Sequence, residues 1–298
     1  MMRTTTTTAC DLLANGVYRE LPFADYLNQQ AFGGTAAAAL AMRTPAHWRA
    51  SRGAPATDAQ RLGTAVHTLV LEGVDALDAQ YRVAPAVNRR TSAGKLEWAD
   101  FELSLQQTGR VALSAEEHVA VFAMAESIDR HRAAWALLDR CREREMSLFW
   151  RCSETGVRCC ARLDFYAPPY GVIAHAVAGD LKTARDASPA GFRWEVIRRG
   201  YHVQAGHYLA GMQELGLEVP SAWHFIVVES APPWAVAVYE LDHASWRLGA
   251  RLAAEARRKY AAAEREGVWP AYPDMVLPLS VTGELPAMNQ TTQIMDLE

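Results

Sequence analysis

Three stretches of alternating sequence in the middle of the chain, closing on Gly179-Asp180-Leu181-Lys182-Thr183, restrict the fold more than any other feature. Residues 145–151 and 157–166 alternate in strand fashion with Gly156 at the turn, which predicts a hairpin. Asp164 falls near the end of its second strand. A connection through Pro168, Pro169 and Gly171 leads to a third strand ending at Asp180-Leu181-Lys182. Side chains two apart on a strand share a face, so Asp180 and Lys182 point the same way while Leu181 points into the core. A carboxylate on a neighbouring strand then completes an oxygen-rich site suited to Mg²⁺ or Mn²⁺. Alone, an Asp-x-Lys is more often an ion pair on an amphipathic strand, so the other elements must decide.

Helical patterns lie on both sides of these strands. From Asp58 to Glu72, Leu62, Ala65, Val66, Leu69 and Val70 form one apolar stripe, with His67 at its margin. A lone histidine there is ordinarily a packed or solvated residue. Ser114-Ala115-Glu116-Glu117 is a capping box that opens a helix to about Leu138. Ser188-Pro189 starts another, serine as cap and proline at the first position, running to about Leu215 with a break near Gly200. In its second half Gln204 and Tyr208 are four apart and share a face. Strands around 223–229 and 234–240 follow, and Asp242 caps a last helix to about Glu266. The order is helix, helix, three strands, helix, two strands, helix. It predicts an α/β fold with a mixed central sheet flanked by helices and a helical N-terminal part.

No clear linker or internal repeat divides the chain. The expected organisation is a disordered Thr-rich segment over 1–15, one domain over 16–278 and an irregular tail over 279–298. Residues 82–110 are largely polar. Within it, Arg89, Arg90 and Lys95 stand beside hydroxyl and small residues, a composition that grips phosphate, although a solvated basic loop has the same look.

Half of the 298 residues are hydrophobic, enough for a sizeable core. The net charge of −4, from 30 basic and 34 acidic residues, excludes nucleic-acid binding through bulk charge but leaves a local basic groove possible. No apolar run reaches transmembrane length and the start lacks the apolar core of a signal peptide, so a cytoplasmic location is expected. The five cysteines include no CxxC spacing and read as reduced and structural.

Taken together, Gly63-Thr64-Ala65-Val66-His67, Asp164, Asp180-Leu181-Lys182-Thr183, and Tyr201-His202-Val203-Gln204 with Tyr208 resemble the PD-(D/E)XK nuclease superfamily. The likeness is strongest to the RecE-type exonucleases (the exonuclease VIII nuclease domain), related to the RecB nuclease domain and to phage lambda exonuclease. It extends to Tyr81–Pro85, Asn88–Thr91, Val228-Glu229 and Pro232-Pro233, and covers roughly residues 16–278. The link between Asp164 and Asp180 is a few residues longer than in those relatives.

The resemblance implies that Asp164, Asp180, the Leu181 carbonyl and His67 hold a divalent cation, Mg²⁺ or Mn²⁺. It implies that Lys182 orients or deprotonates the attacking water, and that Gln204 and Tyr208 position Lys182, the water or the phosphate. Arg89, Arg90 and Lys95 are candidates for holding a DNA end, with Arg198 and Arg199 as alternatives; His202 and His207 read as structural. The implied activity is 5′-to-3′ degradation of one strand of linear duplex DNA. It gives 3′ single-stranded tails for a strand-annealing recombinase, and the implied origin of the nuclease is a phage or prophage. Relatives form rings, so a homo-oligomeric trimer or tetramer is implied. The alternatives are an endonuclease or single-strand repair nuclease using the same site, and a DNA-binding scaffold without catalysis.

Overall fold

A computed structural model describes residues 12–170 and 175–277. The N-terminal segment up to Asp11, part of the link before the third strand, and the tail from Pro278 lie outside the described residues. The chain runs β1 (Gly16–Tyr18), α1 (Phe23–Leu27), α2 (Gly34–Met42), α3 (Pro45–Ser51) and α4 (Asp58–His67). A π-helical turn (Thr68–Glu72), α5 (Val74–Gln80), β2 (Tyr81–Val83), α6 (Ser92–Thr108) and β3 (Val111–Leu113) follow. Then come α7 (Ala115–Arg130), α8 (Arg132–Arg140), β4 (Glu143–Arg151), β5 (Arg158–Ala167) and β6 (Ala176–Ala184). The last elements are α9 (Pro189–Arg199), α10 (Tyr201–Glu214), β7 (Pro220–Glu229), β8 (Val236–Leu241) and α11 (His243–Glu266).

The central sheet has the order β1-β4-β5-β6-β7-β8. Only β6 and β7 pair in parallel; the other neighbours are antiparallel. The parallel pair is joined by α9 and α10, a helical crossover of the kind parallel strands require. Two cores follow from this layering. On one face Leu148, Trp150, Ala161, Leu163, Trp223 and Phe225 pack with residues of α2, α10 and α11. On the other, Phe165, Leu181, Ile226 and Val228 pack with residues of α4, α7 and α8. This is a mixed α/β fold, as the element order predicts.

Local signals explain most boundaries. The Ser114 hydroxyl accepts from the Glu117 amide at 3.1 Å, and the Glu117 carboxylate accepts from the Ser114 amide at 2.8 Å, a complete capping box. Ser188 caps α9, and Gly200, at φ 69°, ends it in the left-handed region that favours glycine. The helices α10 and α11 cross so closely that a Cβ on Gly249 would lie 1.9 Å from the His202 carbonyl oxygen.

Three readings need correction. The basic stretch from Asn88 to Lys95 is not all loop but runs into a helix over Ser92–Thr108: Thr91 accepts from the Gly94 amide at the helix start, and straight-chain residues such as Lys95, Glu97, Gln106 and Gln107 favour helix through the rest. Lys95 therefore sits on α6. The helix of residues 58–72 changes to a π-helical turn directly after His67, and the Val70 carbonyl accepts from Arg144 at 3.3 Å. Finally, the third strand does not end at Lys182. Parallel pairing with β7 carries β6 on to Ala184, so Asp180 lies mid-strand rather than at a strand end.

Candidate metal and phosphodiester site

The site forms where β5 and β6 part. Their ladder runs from Ala167↔Val177 to Phe165↔Gly179 and stops there. Asp164 and Asp180 are the next residues along on each strand, beyond the last rung. In place of a further backbone rung, the Leu181 amide donates to Asp164 Oδ2 at 2.7 Å. The inside–outside alternation of β5 also slips by one at this point. Cys159, Ala161 and Leu163 face the first core, but Phe165 and Ala167 face the second. Opposite the slip, Glu145 on β4 takes φ 50° and is skipped in the ladder between Arg144↔Phe165 and Met146↔Leu163. Irregularities of this kind re-aim side chains next to active sites.

Glu145 is thereby turned toward Asp164. Ligand atoms of His67, Glu145 and Asp164 all lie within 4.8 Å of one another. That spacing suits three donors around one cation, since oxygen and nitrogen ligands sit at about 2.0–2.6 Å from the ion. His67 Nδ1 is 3.4 Å from Asp164 Oδ2, and Arg162 pairs with Glu145 from behind. Arg162 also donates to Ser147 Oγ and the Leu21 carbonyl, both at 2.8 Å, which fixes its direction.

Asp180 is next to this triad but engaged differently. Its Oδ2 accepts from the Trp223 indole at 3.3 Å and lies 3.5 Å from Lys182 Nζ. Its Oδ1 is buried with no hydrogen-bond partner among the described residues. A buried carboxylate oxygen without a donor is costly unless a cation takes it. The donor set and this orphaned oxygen together fit a divalent metal.

The electrostatics agree. Burial, and then the Asp180 charge, raise the Asp164 pKa. Burial, and then Asp164, push Glu145 up to about 7. Burial, and then Lys182, bring His67 down to about 4, so its imidazole is neutral and available as a ligand at pH 7. Burial opposes the charge on Lys182, but Asp180 and Asp164 outweigh it and its pKa is raised. Lys182 is thus an ammonium, with Nζ 5.1 Å from the Tyr201 ring centroid. The sequence reading placed Lys182 facing the water more than Asp180; in this arrangement it contacts Asp180 directly.

α10 closes the site from the first face. Gln204 Nε2 donates to the Tyr208 hydroxyl at 2.8 Å, and the Tyr208 ring stands edge-on to Trp223 at 5.7 Å. The sequence therefore names seven residues that meet here: His67, Asp164, Asp180, Leu181, Lys182, Gln204 and Tyr208. Arg89, Arg90 and Lys95 are exposed on a separate projection, where the Arg89 guanidinium stacks over Trp98 at 4.1 Å. Arg198 and Arg199 both pair with Glu195. His207 is buried against the Cys160 carbonyl and Arg257, and His202 against the Val196 carbonyl. The four described cysteines are free and buried.

Sequence reasoning missed Glu145, Trp223 and Tyr201. Glu145 was within reach: extending the hairpin register back from Arg151↔Arg158 sets it opposite Asp164. Trp223 and Tyr201 carry no local signal, because their place depends on how β7 and α10 meet β6.

A family profile described as a PDDEXK-like domain of unknown function matches residues 29–276. The chain belongs to that family. Among solved structures, a protein from Eubacterium rectale described as a "Putative exonuclease" is similar, with a TM-score of 0.55 at 12% identity. The match covers 89% of this chain and 97% of that one, and at such low identity it speaks to the fold alone. A structure described as SSO0001 aligns at a TM-score of 0.29 and 15% identity, over 54% of this chain and 68% of that one, and carries no argument. No curated protein matches significantly. Fold and family are those of the PD-(D/E)XK nuclease superfamily, and the described residues include a His/Glu/Asp cluster that could hold a divalent cation. Among the described residues no helix is long and apolar enough to cross a membrane.

Proposed function

We propose that this chain is a metal-dependent exodeoxyribonuclease of RecE type. It degrades one strand of linear duplex DNA from the 5′ end and leaves 3′ single-stranded tails for strand annealing. The observation that carries the reading is the pairing, at one fork in the sheet, of a buried Asp180 oxygen lacking any donor with a charged Lys182 beside it. That is an arrangement for a cation and a phosphate, not for a structural ion pair, which would leave no oxygen unsatisfied. The exonuclease description of the similar Eubacterium rectale protein supports the choice of reaction.

His67, Glu145, Asp164 and Asp180, with the Leu181 carbonyl, would hold Mg²⁺ or Mn²⁺. When bound, such an ion lowers the pKa of water and offsets charge on the phosphoryl oxygens. The chain's own groups do the rest. Lys182, held as an ammonium, faces the negative phosphate and stabilises the charge that builds on it. Gln204 and Tyr208, locked to each other, fix one wall against which the sugar-phosphate backbone is aligned. Arg162 holds the Glu145 carboxylate in direction, and Trp223 does the same for Asp180. Arg89, Arg90 and Lys95 remain candidates for holding the DNA end, in a homo-oligomeric ring whose channel is basic although the chain is acidic overall.

The test is digestion of end-labelled linear duplex and of closed circular DNA, in Mg²⁺ and then in Mn²⁺, with and without a 5′ phosphate. The expected outcome is loss of the linear substrate from its 5′ ends, closed circles left intact, and no cleavage by Asp180→Ala. Cleavage of closed circles favours the endonuclease reading. Full activity in Asp180→Ala overturns the site.

A further inference from the structure

Beyond the proposed metal-binding fork, β6 leads through Arg185 and Asp186 into α9, and this connection borders a groove of about 390 Å³ lined by Arg185, Asp186, Gly191, Trp194, Glu195 and Arg198. Two things about it are unusual. Trp194 is 64% exposed, although an indole that size is normally spent in a core. Around it, Ile197 and Arg198 share its helix face at three and four residues' spacing, and the Arg193 guanidinium lies 5.8 Å from its ring centroid. The acidic groups nearby are already committed. Glu195 pairs with Arg198 and Arg199, and Asp186 accepts from the Ser188 amide at 2.8 Å. Among the described residues no ion pair involves Arg185 or Arg193. The surface is thus an exposed aromatic plate beside two guanidinium groups, Arg185 and Arg193, that have no ion pair among the described residues.

Its position says what occupies it. Arg185 is the first residue past the end of β6, three residues after Lys182, so the chain holds the two backbones within about 11 Å of each other. From the far end of α9, Tyr201 reaches back over Lys182. A nucleic-acid strand lying on Lys182 would run about three nucleotides further, at a rise of about 3.4 Å per nucleotide, before meeting Arg185 and the groove it shares with Trp194. The geometry points to a stacking subsite: Trp194 receives an unpaired base of the substrate strand, while Arg185 and Arg193 hold the phosphates on either side. Aromatic stacking of this kind is indifferent to base identity and gives grip on a single strand without sequence preference. A duplex offers no free base face, so the subsite selects the separated strand. The inference rests on the nuclease reading for which strand arrives there, but binding can be measured without cleavage.

The experiment uses the full chain without divalent cation, so that no hydrolysis occurs, and a short single-stranded oligonucleotide carrying 2-aminopurine at successive positions. In wild type, one position should be quenched by stacking. Trp194→Ala should abolish that quenching and weaken binding about tenfold, in line with aromatic-to-alanine losses at single-strand sites. Trp194→Phe should restore most of both. The exposed side chain makes little contribution to the core, and circular dichroism checks that the variants are folded. Binding by Trp194→Ala equal to wild type overturns the subsite, as does a wild-type chain that binds no oligonucleotide. So does a change in mass by sedimentation without a change in DNA binding, which would make the plate a contact between copies of the chain. Trp194-dependent binding by a chain that cleaves nothing leaves the subsite standing and removes the nuclease reading. Cleavage with Trp194-independent binding does the reverse.

Discussion

The Trp223 indole on β7 holds Asp180 Oδ2 on β6 from 3.3 Å and leaves Oδ1 buried without a hydrogen-bond partner among the described residues, the oxygen proposed to meet the cation. Trp223→Phe keeps the ring and removes only the donor. Loss of such a supporting hydrogen bond typically costs about 10–100-fold in metal affinity or activity. The expected outcome is a higher Mg²⁺ concentration for half-maximal cleavage, with unfolding close to wild type.

Glu145→Gln tests the ligand that the sequence did not disclose. A cation that binds the folded chain raises its melting temperature. That rise should shrink in the variant, in both Mg²⁺ and Mn²⁺, as read by calorimetry. An unchanged rise would remove Glu145 from the ligand set.

Gly34, at the start of α2, gives Tyr208 and Gln204 their room. A Cβ there would lie 2.7 Å from Tyr208 Cε1 and 2.8 Å from Gln204 Cγ. Gly34→Ala should therefore displace the Gln204–Tyr208 pair, cost about 1–3 kcal/mol of stability by overpacking, and lower kcat. Denaturant unfolding and steady-state cleavage check the two effects.

His207 supplies a pH dependence remote from the metal. Burial, and then Arg257, bring its pKa from 6.5 down to about 3. Below pH 6.5 the unfolded chain takes up a proton that the folded chain refuses until about pH 3. Stability is thus fully present above 6.5 and falls as the pH drops through that window. The slope from this one group reaches about 1.4 kcal/mol per pH unit. His207→Gln should flatten the acid limb of a stability–pH curve measured by urea unfolding.

What the sequence disclosed, and what it withheld, divides along physical lines. The Ser114 and Ser188 caps, the stop at Gly200 and the Asp242 start are local chemistry, and each boundary is met. The shared face of Asp180 and Lys182 follows from two-residue periodicity, whereas Asp164 stands where the alternation of β5 slips. Glu145 escaped because its direction comes from a skipped rung rather than from regular alternation. Helix α6 escaped because its apolar residues form no single stripe: Leu96 and Leu103 are exposed while Phe101 is buried. The parallel pair β2–β3 is three residues on each side, too short for a pattern to show.

The fork between β5 and β6 makes the two aspartates unequal. Asp164 is a rung as well as a proposed metal ligand, since it satisfies the Leu181 amide after the backbone ladder has ended. Asp180 holds up no backbone. Removing the Asp164 carboxylate strands a buried N–H and loosens the seam that keeps the sheet whole, whereas Asp180→Asn silences chemistry and leaves the seam closed. For work that needs an inert but correctly shaped protein with DNA on it, Asp180 is the residue to change.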